Sequence, residues 1–248
     1  MVKLAHLAQS EAIGQYPAMT SRFSAFALVL ALILGALTPA AAKDASPPPE
    51  PPPHLEHVAL ETPLGTITLA LDATNAPVTT ANFLRYADEK RYDGTVFYRV
   101  MRLEWGEQPN GLIQGGTSGD PGRNLPPIAH EPTSQTGILH KTGAITMARF
   151  DPGTAAGDFS ILLSPLTGLD AHPDSEDPST QAGFAAFGWV VRGMEVARAI
   201  FDAPISTTKG EGFMRGQMIE DPVKILKVRR VPPPADDASA SEAGITAP

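Results

Sequence analysis

The segment from Gly65 to Asp72, GTITLALD, alternates strictly: Ile67, Leu69 and Leu71 fall on one face, and Thr66, Thr68 and Ala70 on the other. Side chains on a strand repeat every two residues, so this is the pattern of a strand with one face in a core. The turn Pro63-Leu64-Gly65 comes just before it. Residues 57–62 are therefore expected to pair with it as a hairpin. Further strand-like runs stand at residues 95–101, 112–115, 144–148, 159–163, 185–190 and 223–228. Only two segments carry helical spacing. One starts at Pro77, places Phe83, Leu84 and Ala87 on a helical face, and closes with Asp88-Glu89-Lys90-Arg91. The other starts near Gly193, with Met194, Ala197 and Phe201 in one stripe and Val196 and Ile200 beside it. Many short strands and two helices point to a closed β-barrel whose ends the helices cover.

The two ends of the 248-residue chain are unfit for a barrel. Residues 43–54 read KDASPPPEPPPH, and residues 232–248 read PPPADDASASEAGITAP. Proline at that density joins neither a helix nor a sheet ladder and favours an extended spacer. The folded domain is expected over residues 55–231. Residues 1–42 read as a secretory signal region. Arg22 precedes the uncharged run from Phe23 to Leu37, and Ala40-Ala41-Ala42 gives a small-x-small cleavage site before Lys43. Met19 opens a more typical signal than Met1. The alternative, an uncleaved anchor, needs roughly 20 apolar residues, more than this run has. The expectation is export to the periplasm, cleavage after Ala42 and no stable membrane association afterwards. A net charge of −8 favours solubility and argues against a general nucleic-acid binder. The chain has no cysteine, so disulfides and thiolate chemistry are excluded.

Several familiar chemistries lack their motifs: there is no G-x-S-x-G, no H-E-x-x-H and no phosphate-binding G-x-x-x-x-G-K. The pair His130-Glu131, in a proline-rich loop, reads as a hydrogen-bonded structural feature, and no metal site is expected. The acidic run Asp174 to Asp177 reads as a solvated loop. Four stretches are informative: APVTTANFLRYADEKRYDGTVFYRV from Ala76, LIQGG from Leu112, GAITMAR from Gly143 with GDFSI from Gly157, and FAAFGWVVRGMEVARAI from Phe184.

In order and in spacing, these four stretches resemble the cyclophilin family of peptidyl-prolyl cis/trans isomerases, apart from two insertions. The segment PVKILKVRR from Pro222 to Arg230 fits the family's last strand. The resemblance implies a closed eight-stranded antiparallel β-barrel capped by two α-helices, with a peptide groove on one outer face. It also implies a reaction without cofactor or metal. Rotation about an X-Pro amide crosses a resonance barrier of roughly 18–20 kcal/mol. In the twisted state the nitrogen lone pair is freed and can accept a hydrogen bond. A guanidinium beside that nitrogen stabilises the twisted form more than either planar form. The resemblance assigns catalytic roles to Arg99 and Gln114. It assigns peptide contacts to Phe97, Leu112, Ala148, Arg149, Phe159, Ser160, Leu169 and Phe184, with Phe159 falling on a core-side phenylalanine of the family. The implied partners are proline-containing segments of unfolded or partly folded exported proteins, met by a monomer.

Some positions depart from the family pattern. Gly111 and Ser160 stand where the best-known members carry two phenylalanines of the proline pocket. Gly168 stands at the groove-edge tryptophan, Phe184 at the pocket histidine, Arg149 at the groove asparagine, and Leu112 at a methionine. An insertion at residues 103–110 brings Trp105 close enough to refill the pocket, and a second insertion covers residues 172–181. Arg99 and Gln114 favour an enzyme. The thinned pocket favours the alternative, a non-catalytic or weakly catalytic peptide-binding chaperone module on the same fold.

Overall fold

The computed structural model of the chain describes residues 52–235. The expected signal, its cleavage site, most of the proline-rich linker and most of the tail lie outside the described residues. Strands β1 (Leu55–Thr62) and β2 (Gly65–Asp72) form the hairpin that the alternation implies, in register from Leu55↔Asp72 to Thr62↔Gly65. Thr62 ties the turn: its hydroxyl donates to Gly65 O and accepts from Leu64 N. Helix α1 (Pro77–Asp88) follows, then β3 (Val96–Arg102), β4 (Gly111–Gly116), α2 (Thr133–Thr136), β5 (Ala144–Met147) and β6 (Asp158–Leu162). Helix α3 (Pro178–Ala182), β7 (Ala186–Arg192), α4 (Met194–Phe201), β8 (Met218–Lys224) and β9 (Lys227–Arg230) complete the chain.

All strand pairs are antiparallel, in the order β8-β3-β4-β6-β5-β7-β2-β1-β9. The two strands at the ends of that order are neighbours in the chain, separated by Ile225 and Leu226. Ile225 N donates to Thr95 O, and Leu226 N donates to Glu61 O. One bent closing strand thus pairs first with β3 and then with β1, and the sheet curls back onto itself. This is the expected eight-stranded barrel with its last strand counted twice. The sequence reading gave residues 223–228 as one strand and missed residues 218–222. Pro222 lacks the N–H that a ladder needs, and β8 bulges there: Phe97 faces Val223, but Arg99 faces Met218.

The inward faces of the strands and the buried face of α1 share one core. Phe83 of α1 meets Phe159 edge-on at 5.3 Å, and Tyr92 meets the same ring at 5.5 Å. Each such ring is worth roughly 1.5–3 kcal/mol on burial. Helix α1 packs on β2, β7 and β9; α4 packs on β2 and β4, burying Val196, Ala197, Ile200 and Phe201. The His130-Glu131 pair is structural. Glu131 accepts Val78 N at 3.0 Å and Thr79 N at 2.8 Å, placing a negative charge at the start of α1. His130 Nε2 bonds Ala182 O at 2.9 Å. The two short helices were not anticipated. Asp177, expected in a plain solvated loop, accepts Thr180 N at 2.7 Å and caps α3.

Candidate active site

The outer face of β3, β4, β6 and β5 carries Arg99, Gln114, Leu112 and Ser160, four of the residues expected at the site. Strict alternation would put Phe97 and Arg99 on the same face. The structure corrects this, because β3 shifts register between the two. Phe97 turns into the core at 0% exposure, edge-on to Phe159 at 5.9 Å. Phe159 is also fully buried. Rings without exposed surface cannot line a groove, so both belong to the packing and not to a peptide contact.

Arg99 stays half-buried and faces Gln114 across the β3–β4 ladder. Its Nη1 donates to Gln114 Oε1 at 2.7 Å, and its Nε donates to Gln217 Oε1 at 2.8 Å. Gln217 is held beside β3 by its own main chain, since Val100 N donates to Gln217 O at 2.8 Å. The exposed ring of Phe213 lies 5.4 Å from Arg99 Cζ. Among the described residues no carboxylate pairs with Arg99. Desolvation pulls the guanidinium below its ordinary value, yet it remains a cation at neutral pH. The result is a charge fixed by two neutral amides and not cancelled by an acid. The amide of Gln114 is itself buried, and its Nε2 donates to the Tyr98 hydroxyl at 2.8 Å.

Beside this polar group lies an aliphatic patch. Leu112, Ala144, Leu162 and Leu166 are buried there, with Met101, Leu103 and Leu169 partly exposed against them. Gly111 is not a vacated phenylalanine position in any simple sense. Its φ is +141°, and a Cβ there would stand 1.9 Å from Met101 O. Ser160 is 5% exposed, between Gln114 on β4 and Thr146 on β5. Trp105 does not refill the pocket: it is 68% exposed, outside the patch.

The far end of the groove is organised differently. The Nε of Arg149 donates to Gly183 O at 3.0 Å, Nη1 to Phe150 O at 2.8 Å and Nη2 to Ser179 O at 3.0 Å. Its guanidinium also covers half-buried Phe184 at 4.4 Å. Arg149 therefore clamps α3 and the second insertion to the end of β5. Its donors are taken by main-chain carbonyls, so the peptide contact expected here would not be made through its N–H groups. The N–H of Ala148 is spent on Asp158 O at 2.8 Å, so pairing with a peptide is left to its carbonyl. Beneath the floor, His140 Nδ1 donates to Asp170 Oδ1 at 2.7 Å and Nε2 accepts from Thr146 Oγ1 at 3.0 Å. This Asp–His–Thr chain is no nucleophilic site, because Thr146 is 2% exposed.

The structure thus gathers Arg99, Gln114, Leu112, Ser160 and Leu169 on one outer face. It places Ala148, Arg149 and Phe184 around the second insertion, and it withdraws Phe97 and Phe159. Sequence reasoning missed Gln217 and Phe213, which lie in a stretch with no periodicity, and Tyr98, which alternation would have turned inward.

Fold and site define a class: a self-closing antiparallel barrel with an unpaired, half-buried guanidinium beside an aliphatic patch on its outer wall. Comparison with known proteins gives the class its family. The model of the family described as "Cyclophilin type peptidyl-prolyl cis-trans isomerase/CLD" matches residues 57–230. A peptidyl-prolyl cis-trans isomerase of Acinetobacter baylyi is 33% identical over 176 residues, covering 69% of this chain and 84% of that one. Peptidyl-prolyl cis-trans isomerase A of Dickeya dadantii is 36% identical over 178 residues, covering 70% and 81%. The crystal structure of a Cryptosporidium parvum cyclophilin type peptidyl-prolyl cis-trans isomerase has the same fold, with a TM-score of 0.55 at 19% identity, covering 73% of this chain and 100% of that one. The chain belongs to the cyclophilin-type peptidyl-prolyl cis-trans isomerase family. Its reaction class is accordingly the isomerisation of peptidyl-prolyl bonds.

Proposed function

We propose that this chain isomerises X-Pro bonds in exported proteins, with Arg99 stabilising the twisted amide. The observation that carries the reading is the state of Arg99. Its charge is desolvated and held by Gln114 and Gln217, and among the described residues no carboxylate neutralises it. Such a preorganised donor favours the twisted amide, whose nitrogen accepts a hydrogen bond, over the planar forms, whose nitrogen does not. The aliphatic patch around Leu112 and Leu169 is the apolar surface on which a proline ring would rest. A solved Cryptosporidium parvum relative was crystallised in the presence of the dipeptide Ala-Pro, and an X-Pro segment is the ligand this groove would take. No cofactor enters the scheme. The protein acts as a monomer.

The test is a cis/trans assay on short proline peptides, with Arg99→Ala as control. Turnover that disappears in the variant supports the reading. Peptide binding without turnover would support a chaperone module instead, the reading that the lack of an aromatic wall at Ser160 favours. Export is proposed from the sequence of residues 1–42. N-terminal sequencing of the exported product should give Lys43, and a full-length membrane-bound product would show an anchor. Among the described residues no helix is long and apolar enough to cross a membrane.

A further inference from the structure

The geometry points to Tyr98 and Asp158 as positioning residues that fix which way round the Gln114 amide sits and, through it, where Arg99 aims. This inference rests on the functional reading above. An amide group has two ends of nearly equal shape and opposite hydrogen-bonding character. Gln114 serves Arg99 only with Oε1 toward the guanidinium, where it accepts from Nη1 at 2.7 Å. Flipped, it would set an NH2 against a guanidinium, donor against donor. Something must therefore hold the amide nitrogen on the other side.

The Tyr98 hydroxyl does so, accepting from Gln114 Nε2 at 2.8 Å in a buried position. A phenol oxygen that accepts there sends its own proton elsewhere, and the acceptor beside it is the Asp158 carboxylate. Asp158 is anchored in turn: its Oδ1 accepts Ser118 N at 2.7 Å. The chain of donors thus runs one way, from Arg99 to Gln114 to Tyr98, and the carboxylate nearest the phenol, Asp158, is the acceptor left for its proton. The carboxylate sets the direction of every bond without touching the guanidinium. An acid in direct contact with Arg99 would orient it equally well but would cancel the charge that the reaction uses.

Direction is lost when Asp158 takes up a proton, because the acid then carries a donor of its own and competes with the phenol. Desolvation moves this carboxyl above the usual carboxylate range, against the bonds from Ser118, Tyr98 and Gly119. The groups that face it are Tyr86 of α1, Tyr92 of the following turn, Tyr98 of β3, and the Ser118 and Gly119 amides. Burial raises all three phenols away from the range in which a carboxyl titrates, so Asp158 is the member of this group whose protonation changes first as pH falls.

Two measurements on the full chain test the inference. The first is the pH profile of kcat/KM for wild type, Asp158→Asn and Tyr98→Phe. Wild type should lose activity on the acid side, with a midpoint above the ordinary carboxylate value. Asp158→Asn should lack that acid limb, and Tyr98→Phe should show kcat reduced about five- to tenfold with KM little changed. The second is the pH titration of the Gln114 side-chain amide signals by NMR, which needs no catalysis. They should move with the Asp158 midpoint in wild type and stay still in Asp158→Asn. An acid limb shared by wild type and Asp158→Asn, or Gln114 signals indifferent to Asp158, would overturn the inference. An inactive wild type, or an active Arg99→Ala variant, would instead overturn the functional reading, and the NMR arm would still decide this one.

Discussion

Arg99 and Arg149 lie on the same wall of the barrel, each over an aromatic ring, each pulled below the ordinary arginine value by desolvation. Their hydrogen bonds separate them. Arg99 is held by two side-chain amides through Nε and Nη1, which fix its plane and do not use Nη2. Arg149 gives its donors to the carbonyls of Phe150, Ser179 and Gly183, and becomes a cross-link between β5 and the second insertion. Under the proposed function, the same side chain is a reagent where neutral amide side chains aim it and a strut where main-chain carbonyls consume it. Residue type and burial alone do not distinguish the two.

The largest expected effect tests the reagent. Arg99→Ala should lower kcat/KM about 10²- to 10³-fold, the loss typical of one preorganised donor, while circular dichroism and Tm change little. A variant that keeps most of its activity would break the contrast outright. Next comes the wall between the two arginines. Ser160 is buried under its neighbours, so Ser160→Phe should overpack and cost about 1–3 kcal/mol of stability. Denaturant unfolding measures this, and a variant as stable as wild type but more active would show an open pocket instead. Arg149→Ala should then be a stability mutation, costing about 1–2 kcal/mol for its charged hydrogen bonds. Proteolysis should cut first within residues 172–183, with kcat/KM nearly unchanged. If catalysis falls and stability does not, Arg149 touches substrate after all.

The smallest effect sharpens the comparison through pH. Burial lowers His140 from its ordinary value, against the pull of Asp170. The folded state therefore prefers the neutral ring. Its stabilisation is complete above the unfolded value of about 6.5 and is lost as pH falls below it. Tm should decline from pH 7 towards 5, and His140→Gln should flatten that decline while lowering Tm at pH 8.

Elements with a clean period were legible in the sequence: the β1–β2 hairpin and α4 stand within two residues of their expected bounds, and α1 starts at Pro77 as expected and ends at Asp88, three residues before Arg91. Arg99 and Gln114 were legible through the family motif, and the ladder sets them opposite each other. What alternation could not show is where it stops. The register shift after Phe97 reverses which neighbours share a face with Arg99, so the peptide contact that the resemblance implies for Phe97 does not form and Tyr98 reaches the site instead. Gln217 and Phe213 reach Arg99 from more than 110 positions away, through a segment without pattern. A contact of that kind follows from closure of the barrel, not from local spacing.

The bent closing strand also bears on how the protein is made. Arg230 reaches Glu56 at 3.0 Å across 174 positions of sequence, and β9 pairs with β1 along Val58 to Glu61. A ribosome must therefore release nearly the whole domain before its first strand can find its last. Until then β1 and β3 each present an open edge, the kind of surface that recruits stray strands. A nascent chain stopped at Lys224 has every group of the Arg99 site and no finished barrel to hold them.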